Sequence, residues 1–125
     1  MPRVLIADDE DSMRSLVSRA IAMDGHEIVT AEDGAEALEI LNREQGAFDL
    51  LLTDIQMPVM DGIALALTAA RDFPDLTILL MTGFADQRER AHGLNAIVHD
   101  VVTKPFSVAD IRAAVAAALQ ARKTG

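Results

Sequence analysis

FDLLLTD, at residues 48–54, is the stretch that decides the fold. A short, almost wholly apolar run bounded by turn-forming residues is typical of a strand buried on both faces, as in a parallel sheet covered by helices. Pro58 and the pair Asp61-Gly62 follow this run and turn the chain. Asp54 is therefore predicted to lie at the carboxyl end of a central strand, where open α/β sheets place their binding sites.

Apolar runs alternate with helical patterns on both sides of this strand. The other predicted strands are residues 3–7, 27–31, 77–81 and 97–103. The predicted helices are residues 13–21 with a cap at Asp11 or Ser12, a segment around 37–41, residues 63–72, a weak and exposed helix over 85–95, and a last helix that opens with the capping box Ser107-Val108-Ala109-Asp110. Residues 121–125 are predicted to be a frayed tail. The alternation predicts the α/β class: a doubly wound five-stranded parallel sheet with helices on both faces, forming a single domain over residues 1–125.

The composition excludes several classes of protein. A chain of 125 residues, half of them hydrophobic, is long enough to bury a core, and having no cysteine it does so without disulfides. The formal charge of −9 argues against binding to a nucleic-acid backbone. No apolar run approaches the roughly 20 residues of a membrane span, and the start does not resemble a signal peptide. We therefore expect a cytoplasmic protein that contacts neither nucleic acid nor a membrane.

Five polar residues end the predicted strands, and right-handed crossovers would bring all of them to one edge of the sheet. Asp8, Asp9 and Asp54 would form a cluster in which each pair of carboxylates about 4 Å apart repels by roughly 4 kcal/mol at an effective dielectric near 20. Such a cluster calls for a divalent cation or for protons, and an all-oxygen site with open positions suits Mg²⁺. Lys104 and Thr82 would lie where the oxygens of a phosphoryl group need a positive charge and a donor. The set predicts phosphorylation of Asp54, with its carboxylate as the nucleophile.

Each residue of the set also has a simpler interpretation. The acids of residues 8–11 are typical of the start of a helix, where they interact with its dipole. Thr82 before a glycine is typical of a turn, and Lys104 before a proline is typical of the end of a strand. The occurrence of all of them at the ends of different apolar strands favours a common site.

Four motifs together resemble the receiver (CheY-like) domain of bacterial two-component response regulators, and the likeness covers essentially the whole chain. The motifs are Asp8-Asp9, Asp54 with Met57-Pro58 and Asp61-Gly62, Thr82-Gly83, and Lys104-Pro105-Phe106. The resemblance implies a flavodoxin-like sheet in strand order 2-1-3-4-5. It also implies Mg²⁺-dependent transfer of a phosphoryl group to Asp54 from a histidine kinase or a histidine phosphotransfer protein.

The same resemblance assigns roles to individual residues. Asp9 would bind Mg²⁺ directly, Asp8 would bind it through water, and the backbone carbonyl of Gln56 would complete the protein's ligands together with Asp54. Thr82 and Lys104 would contact the oxygens of the phosphoryl group. One position departs from the common pattern, because Val101 stands where many receivers carry an aromatic residue that moves on phosphorylation.

The expected protein is a phosphoacceptor signalling domain rather than an enzyme, acting only in its own phosphorylation and dephosphorylation. Without residues for an output domain, it would signal through a downstream protein target, using exposed charges such as Arg88, Arg90, Asp100 and Arg112. It also looks like the stand-alone CpdR group, which implies a ClpXP-type protease system as that target. The alternative is a degenerate receiver that acts as a phosphorylation-independent adaptor. An aspartate-nucleophile phosphatase is disfavoured by Gln56, and a flavodoxin-like cofactor carrier by the acids after the first strand.

Overall fold

The computed structural model describes residues 1–83, 89, 91 and 93–124, and for residues 122–124 it describes the backbone alone. The described residues form five strands and four helices. In chain order they are β1 (Arg3–Ala7), α1 (Asp11–Ala22), β2 (Glu27–Ala31), α2 (Gly34–Arg43), β3 (Leu50–Asp54), α3 (Gly62–Asp72), β4 (Thr77–Thr82), β5 (Asp100–Thr103) and α4 (Val108–Thr124).

The five strands form one parallel sheet in the order β2-β1-β3-β4-β5, which confirms the predicted fold class and strand order. β3 is central, and all five of its residues are buried. Its last residue, Asp54, is paired in register with Met81 of β4. Because the strands are parallel, the carboxyl ends of β1, β3, β4 and β5 share one edge of the sheet.

The hydrophobic core lies in two layers on opposite faces of the sheet. Successive residues of β3 alternate between them, with Leu51 in the layer under α2 and α3, and Leu50 and Leu52 in the layer under α1 and α4. This alternation follows from the two-residue period of a strand. It explains why three consecutive leucines fit in β3, which is buried on both faces and ends at Asp54.

The helix starts agree with the predicted turn chemistry, with one exception. Asp61 accepts a hydrogen bond from the Ala64 amide at 2.8 Å and caps α3. Ser107 and Asp110 exchange reciprocal bonds of 3.0 and 3.1 Å, which confirms the capping box. The predicted cap of α1 at Asp11 or Ser12 is wrong, since the cap position is Glu10 and its side chain makes no capping bond.

The predicted fifth strand began too early. β5 starts at Asp100, because the amides of Ile97 and Val98 donate to the carbonyl of Leu94 at 2.9 Å and are not available to β4. The weak helix predicted over residues 85–95 falls largely outside the described residues. The backbone of α4 is helical to Thr124, and the fraying of residues 121–125 stays a prediction.

One of the charges expected to face a partner is engaged within the molecule. The guanidinium of Arg112 on α4 donates to both carboxylate oxygens of Asp24, at 2.6 and 3.2 Å, and links α4 to the turn after α1. Arg88 and Arg90 lie outside the described residues. Of the four charged residues expected to face a partner, the structure describes Asp100 and Arg112, and Arg112 is paired with Asp24 within the molecule.

Val59, in the loop after β3, is expected to be a strained position. Its φ is +68°, a left-handed conformation that costs an L-residue about 1–2 kcal/mol, and its side chain is 84% exposed, so that burial offsets little of that cost. Val59→Gly should therefore raise the free energy of unfolding by about 1 kcal/mol, the greater freedom of glycine in the unfolded chain cancelling part of the gain. Urea denaturation followed by circular dichroism measures the change.

The matched control for Val59→Gly is Val108→Gly. Val108 is also a partly exposed valine, but it lies in the first turn of α4, where glycine is a poor helix former. This variant should lose stability. Destabilisation of comparable size in both variants would show that the conformation of Val59 carries no strain.

Candidate functional site

Three carboxylates meet at the edge of the sheet where β1 and β3 end. Asp8 and Asp9 follow β1, Asp54 ends β3, and one oxygen from each lies within 4.8 Å of the others. Asp8 is fully buried and Asp54 is 7% exposed, whereas Asp9 is exposed at the mouth. Two of the three clustered carboxylates are thus buried, and the third is open to solvent.

Asp8 provides the test of whether a cation fits this pocket. Its Oδ1 accepts a hydrogen bond from the amide of Glu10 at 3.0 Å. Its Oδ2 is buried without a hydrogen-bond partner, and the Nζ atom of Lys104 is 3.7 Å away. A buried carboxylate oxygen without a hydrogen bond is costly, and a water ligand of a divalent cation held by oxygen atoms would satisfy it. The donors present therefore fit Mg²⁺.

Asp54 is held from two sides. Its Oδ1 accepts a hydrogen bond from the amide of Ile55 at 2.9 Å, and its Oδ2 is 3.3 Å from Nζ of Lys104. Lys104 is the residue after β5, and its side chain is 18% exposed. One ammonium group thus contacts both buried carboxylates, and the orientation of Asp54 leaves its carboxylate beside a positive charge.

Thr82 lies at the carboxyl end of β4, and Gln56 lies just after the carboxyl end of β3. Thr82 is fully buried at the end of β4, and its carbonyl accepts a hydrogen bond from the amide of Lys104 at 2.7 Å. Gln56 is exposed in the loop two residues beyond Asp54. The peptide bond between Lys104 and Pro105 is cis. The structure therefore brings together Asp8, Asp9, Asp54 and Lys104. Thr82 lies beside the backbone of Lys104, and Gln56 lies in the loop after Asp54, where their roles stay predictions.

The electrostatics of the site raise the pKa values of both buried carboxyl groups in the absence of a cation. Burial raises the pKa of Asp54, and the charge of Asp8 adds to this, while Lys104 and the Ile55 amide act in the opposite direction. Burial likewise raises the pKa of Asp8, against the Glu10 amide and Lys104. Lys104 thus compensates only part of the cost of holding two buried negative charges.

The metal-free protein should lose stability as the pH rises from about 4, the ordinary aspartate pKa, through the raised pKa values of Asp8 and Asp54. In this interval the folded state retains protons that the unfolded chain has released, so the free energy of unfolding falls with increasing pH. The melting temperature in EDTA at a series of pH values measures the effect.

The control for this pH dependence is Asp54→Asn, which removes one of the two groups. Exposed carboxyls such as Asp24, whose pKa the Arg112 hydrogen bond lowers, contribute an opposite slope that is common to both proteins and cancels in the difference. The variant should show a weaker loss of stability with rising pH. Identical slopes in the two proteins would contradict the prediction.

Sequence reasoning treated Gly62 only as part of a turn and missed its contact with the site, and it missed Arg14 altogether. Gly62 approaches so closely that a Cβ atom there would lie 2.0 Å from the carbonyl oxygen of Asp54. The guanidinium of Arg14, in the first turn of α1, donates to the carbonyl of Asp8 at 2.8 Å. An arginine one helical turn after an acidic loop is a signal that could have been recognised, whereas the contact of Gly62 depends on packing.

The fold and the site together define a CheY-like protein of the flavodoxin-like α/β class. The model of the response regulator receiver domain family matches residues 4–116. The chain belongs to this family, and it is accordingly a signalling domain of two-component systems. Receiver domains bind Mg²⁺ at an acidic pocket, and the cluster of Asp8, Asp9 and Asp54 is a pocket of this kind.

Two curated relatives illustrate the range of the family. The chain is 36% identical over 118 residues to the probable transcriptional regulator ycf27 of Guillardia theta, covering 94% of this chain and 45% of that protein. It is 40% identical over 111 residues to the response regulator receiver protein CpdR of Brucella abortus (strain 2308), covering 89% of this chain and 91% of that one. The chain spans about half the length of the ycf27 regulators and nearly all of CpdR.

Among solved structures, the chain is similar to the response regulator protein TrrA from Thermotoga maritima in complex with Mg²⁺-BeF. The TM-score is 0.82 and the identity 31%, covering 94% of this chain and 98% of that one.

Within the residues that the structure describes, no helix is both long and apolar enough to cross a membrane.

Proposed function

We propose that this protein accepts a phosphoryl group on Asp54, in a Mg²⁺-dependent reaction, and that phosphorylation alters its contacts with a downstream protein. The donor would be a phosphohistidine on a histidine kinase or on a histidine phosphotransfer protein. The observation that carries the proposal is the pairing of Asp54 with Lys104 beside two further carboxylates, since this set serves a phosphoryl group and a divalent cation together.

The reaction is a transfer between two nucleophiles. A carboxylate oxygen of Asp54 forms a bond to phosphorus while the bond between phosphorus and the donor imidazole breaks, and the imidazole leaves with the electron pair and takes up a proton. The hydrogen bond from the Ile55 amide to Oδ1 fixes the orientation of the carboxylate. Lys104 is placed to neutralise the charge that accumulates on the phosphoryl oxygens, and Thr82 would donate its hydroxyl proton to one of them.

Asp8, Asp9, Asp54 and the carbonyl of Gln56 would hold Mg²⁺, with Asp8 acting through a water molecule. When bound, the cation supplies positive charge to the phosphoryl oxygens in a site that otherwise repels them. The relative TrrA, which was solved in complex with Mg²⁺-BeF, supports this assignment by its overall similarity. Oδ2 of Asp8, which is buried without a hydrogen-bond partner, supports a cation at this site independently.

The downstream partner would be a protein. The likeness to CpdR, of which the chain covers 91%, supports a receiver of this kind. A ClpXP-type protease system is the candidate partner that the resemblance of the sequence to the stand-alone CpdR group implies. Retention of the protein by such a partner should then depend on Asp54, which a pulldown with phosphorylated and unphosphorylated protein would test.

The experiment that tests the proposed function is the intact mass of the purified protein after incubation with Mg²⁺ and acetyl phosphate. One added phosphoryl group is expected, and it should be absent when EDTA replaces Mg²⁺. If acetyl phosphate gives no product, phosphorylated histidine kinases and phosphotransfer proteins are tried as donors. Continued failure with several such donors would contradict the proposal and favour a phosphorylation-independent adaptor.

A further inference from the structure

We propose that Arg14 is a positioning residue that sets the Mg²⁺ affinity of the site by fixing the backbone of residues 8–11. This inference rests on the proposed function, since it concerns the same acidic pocket. Arg14 touches none of the atoms proposed to react or to bind the cation. It would act through the loop that carries Asp8 and Asp9.

Three interactions of Arg14 close this loop onto the start of α1. The Nη1 atom donates to the carbonyl oxygen of Asp8 at 2.8 Å. The backbone amide donates to the carbonyl of Glu10 at 2.9 Å. The Nη2 atom bonds the carboxylate of Asp11. The side chain of Arg14 thus ties residues 8 and 11, whereas the amide bond to Glu10 is the ordinary first backbone bond of the helix, which any residue at this position would make.

The guanidinium also reaches across to the next loop. Its Nη2 atom lies 3.8 Å from the carboxylate of Glu32, which follows β2, and the Arg14 side chain is only 16% exposed. The planar fork of an arginine suits several acceptors at fixed angles, which an ammonium group cannot match. Arg14 thus links the loop of residues 8–11 to α1 and lies close to a carboxylate of the neighbouring loop.

Fixing this loop matters because the two carboxylates of Asp8 and Asp9 repel each other and Asp54. A freely moving loop would let the carboxylates separate in the metal-free protein, and binding of a cation would then require the loop to be ordered again. Groups that orient metal ligands typically change affinity by about 10–100-fold when they are removed. Arg14 is such a group because it bonds the backbone carbonyl of Asp8, while the Glu10 amide orients the carboxylate of Asp8.

Charge and position predict opposite results for removal of Arg14, which makes the proposal testable. Loss of a positive charge close to the pocket would by itself strengthen Mg²⁺ binding. Loss of the anchor would weaken it. A fall in Mg²⁺ affinity can therefore be assigned to the lost contacts with the loop and not to the lost charge.

The experiment is titration of the whole metal-free protein with Mg²⁺ by isothermal calorimetry, for the unsubstituted protein and the variants Arg14→Met and Arg14→Lys. Arg14→Met should bind Mg²⁺ roughly tenfold more weakly. Arg14→Lys keeps the charge but loses the fork, and it should fall between the two. The melting temperature of each protein in EDTA is measured in parallel, so that a loss of affinity in a folded variant is distinguished from unfolding.

Arg19→Met is the matched control, because Arg19 is an exposed arginine in the last turn of the same helix. It removes the same charge and should leave the affinity unchanged. Unchanged or stronger Mg²⁺ binding by Arg14→Met would overturn the inference while leaving the proposed function intact. If Arg14→Met does not fold, the Mg²⁺ affinity of Arg14→Lys is the test. An affinity of Arg14→Lys equal to that of the unsubstituted protein would overturn the inference. An unsubstituted protein that binds no Mg²⁺ would contradict the proposed function and this inference with it.

Discussion

Asp54→Asn is expected to abolish phosphorylation and at the same time to stabilise the metal-free protein. An amide has the shape of the carboxylate but is not a nucleophile, so no phosphoryl group can be attached at this position. The raised pKa of Asp54 means that folding disfavours the charged form of this group relative to its neutral form. A neutral side chain of the same size should therefore relieve repulsion from Asp8 and the cost of burying a charge.

Intact mass after incubation with Mg²⁺ and acetyl phosphate, and the melting temperature in EDTA, measure the two effects of Asp54→Asn. Asp72→Asn is the control, because Asp72 is exposed and paired with its neighbour Arg71 at the end of α3. It should be phosphorylated like the unsubstituted protein, without a rise in melting temperature. Phosphorylation of Asp54→Asn at an undiminished rate would place the acceptor elsewhere, and a lower melting temperature would mean that Asp54 stabilises the fold.

Gly62→Ala is expected to destabilise the protein by about 3 kcal/mol, at the upper end of the range for overpacking. A Cβ atom at position 62 would lie 2.0 Å from the carbonyl oxygen of Asp54 and 2.9 Å from Cα of Ile55. Both are backbone atoms of the central strand and its continuation, so they cannot rotate away. The amide of Gly62 also donates to the carbonyl of Ile55 at 2.8 Å, which holds the start of α3 against this segment.

The same substitution should slow phosphorylation, because relief of the clash has to displace the backbone that carries Asp54. Urea denaturation gives the loss of stability, and the rate of mass increase with acetyl phosphate gives the effect on the site. Gly83→Ala is the matched control, as a Cβ atom there would meet the Lys104 side chain at an ordinary 3.8 Å. It should change stability by no more than about 0.5 kcal/mol. Equal effects of the two substitutions would show that the contact of Gly62 with Asp54 is unimportant.

The convergence of the site residues was predictable because it depends on patterns that are local in the chain. Apolar runs of strand length ending in Asp8-Asp9, Asp54, Thr82 and Lys104 can be recognised without a structure. The rule that parallel strands align their carboxyl ends then brings these residues together. The same reasoning predicted repulsion among the carboxylates; the charge of Asp8 does raise the pKa of Asp54, although burial is the larger cause of the raised pKa of both groups.

The misplaced boundaries have a common physical cause. The start of β5 was misjudged because Ile97 and Val98 are apolar and strand-forming, yet their amides bond to Leu94 in a preceding turn. The cap of α1 was misjudged because Asp11 has the right side chain for a cap, but its carboxylate bonds Arg14 instead. In both cases a competing partner that the pattern does not show took the hydrogen bond.

The sequence by itself thus determined the fold class, the central strand and the set of polar residues at its edge, because hydrophobic periodicity and turn residues act over short distances. Only the tertiary structure decided that Oδ2 of Asp8 is buried without a hydrogen bond and that Gly62 packs closely against the carbonyl of Asp54. These features depend on distances between elements that are set by the packing of two helical layers on the sheet. No local pattern encodes such distances, because they are properties of the whole core.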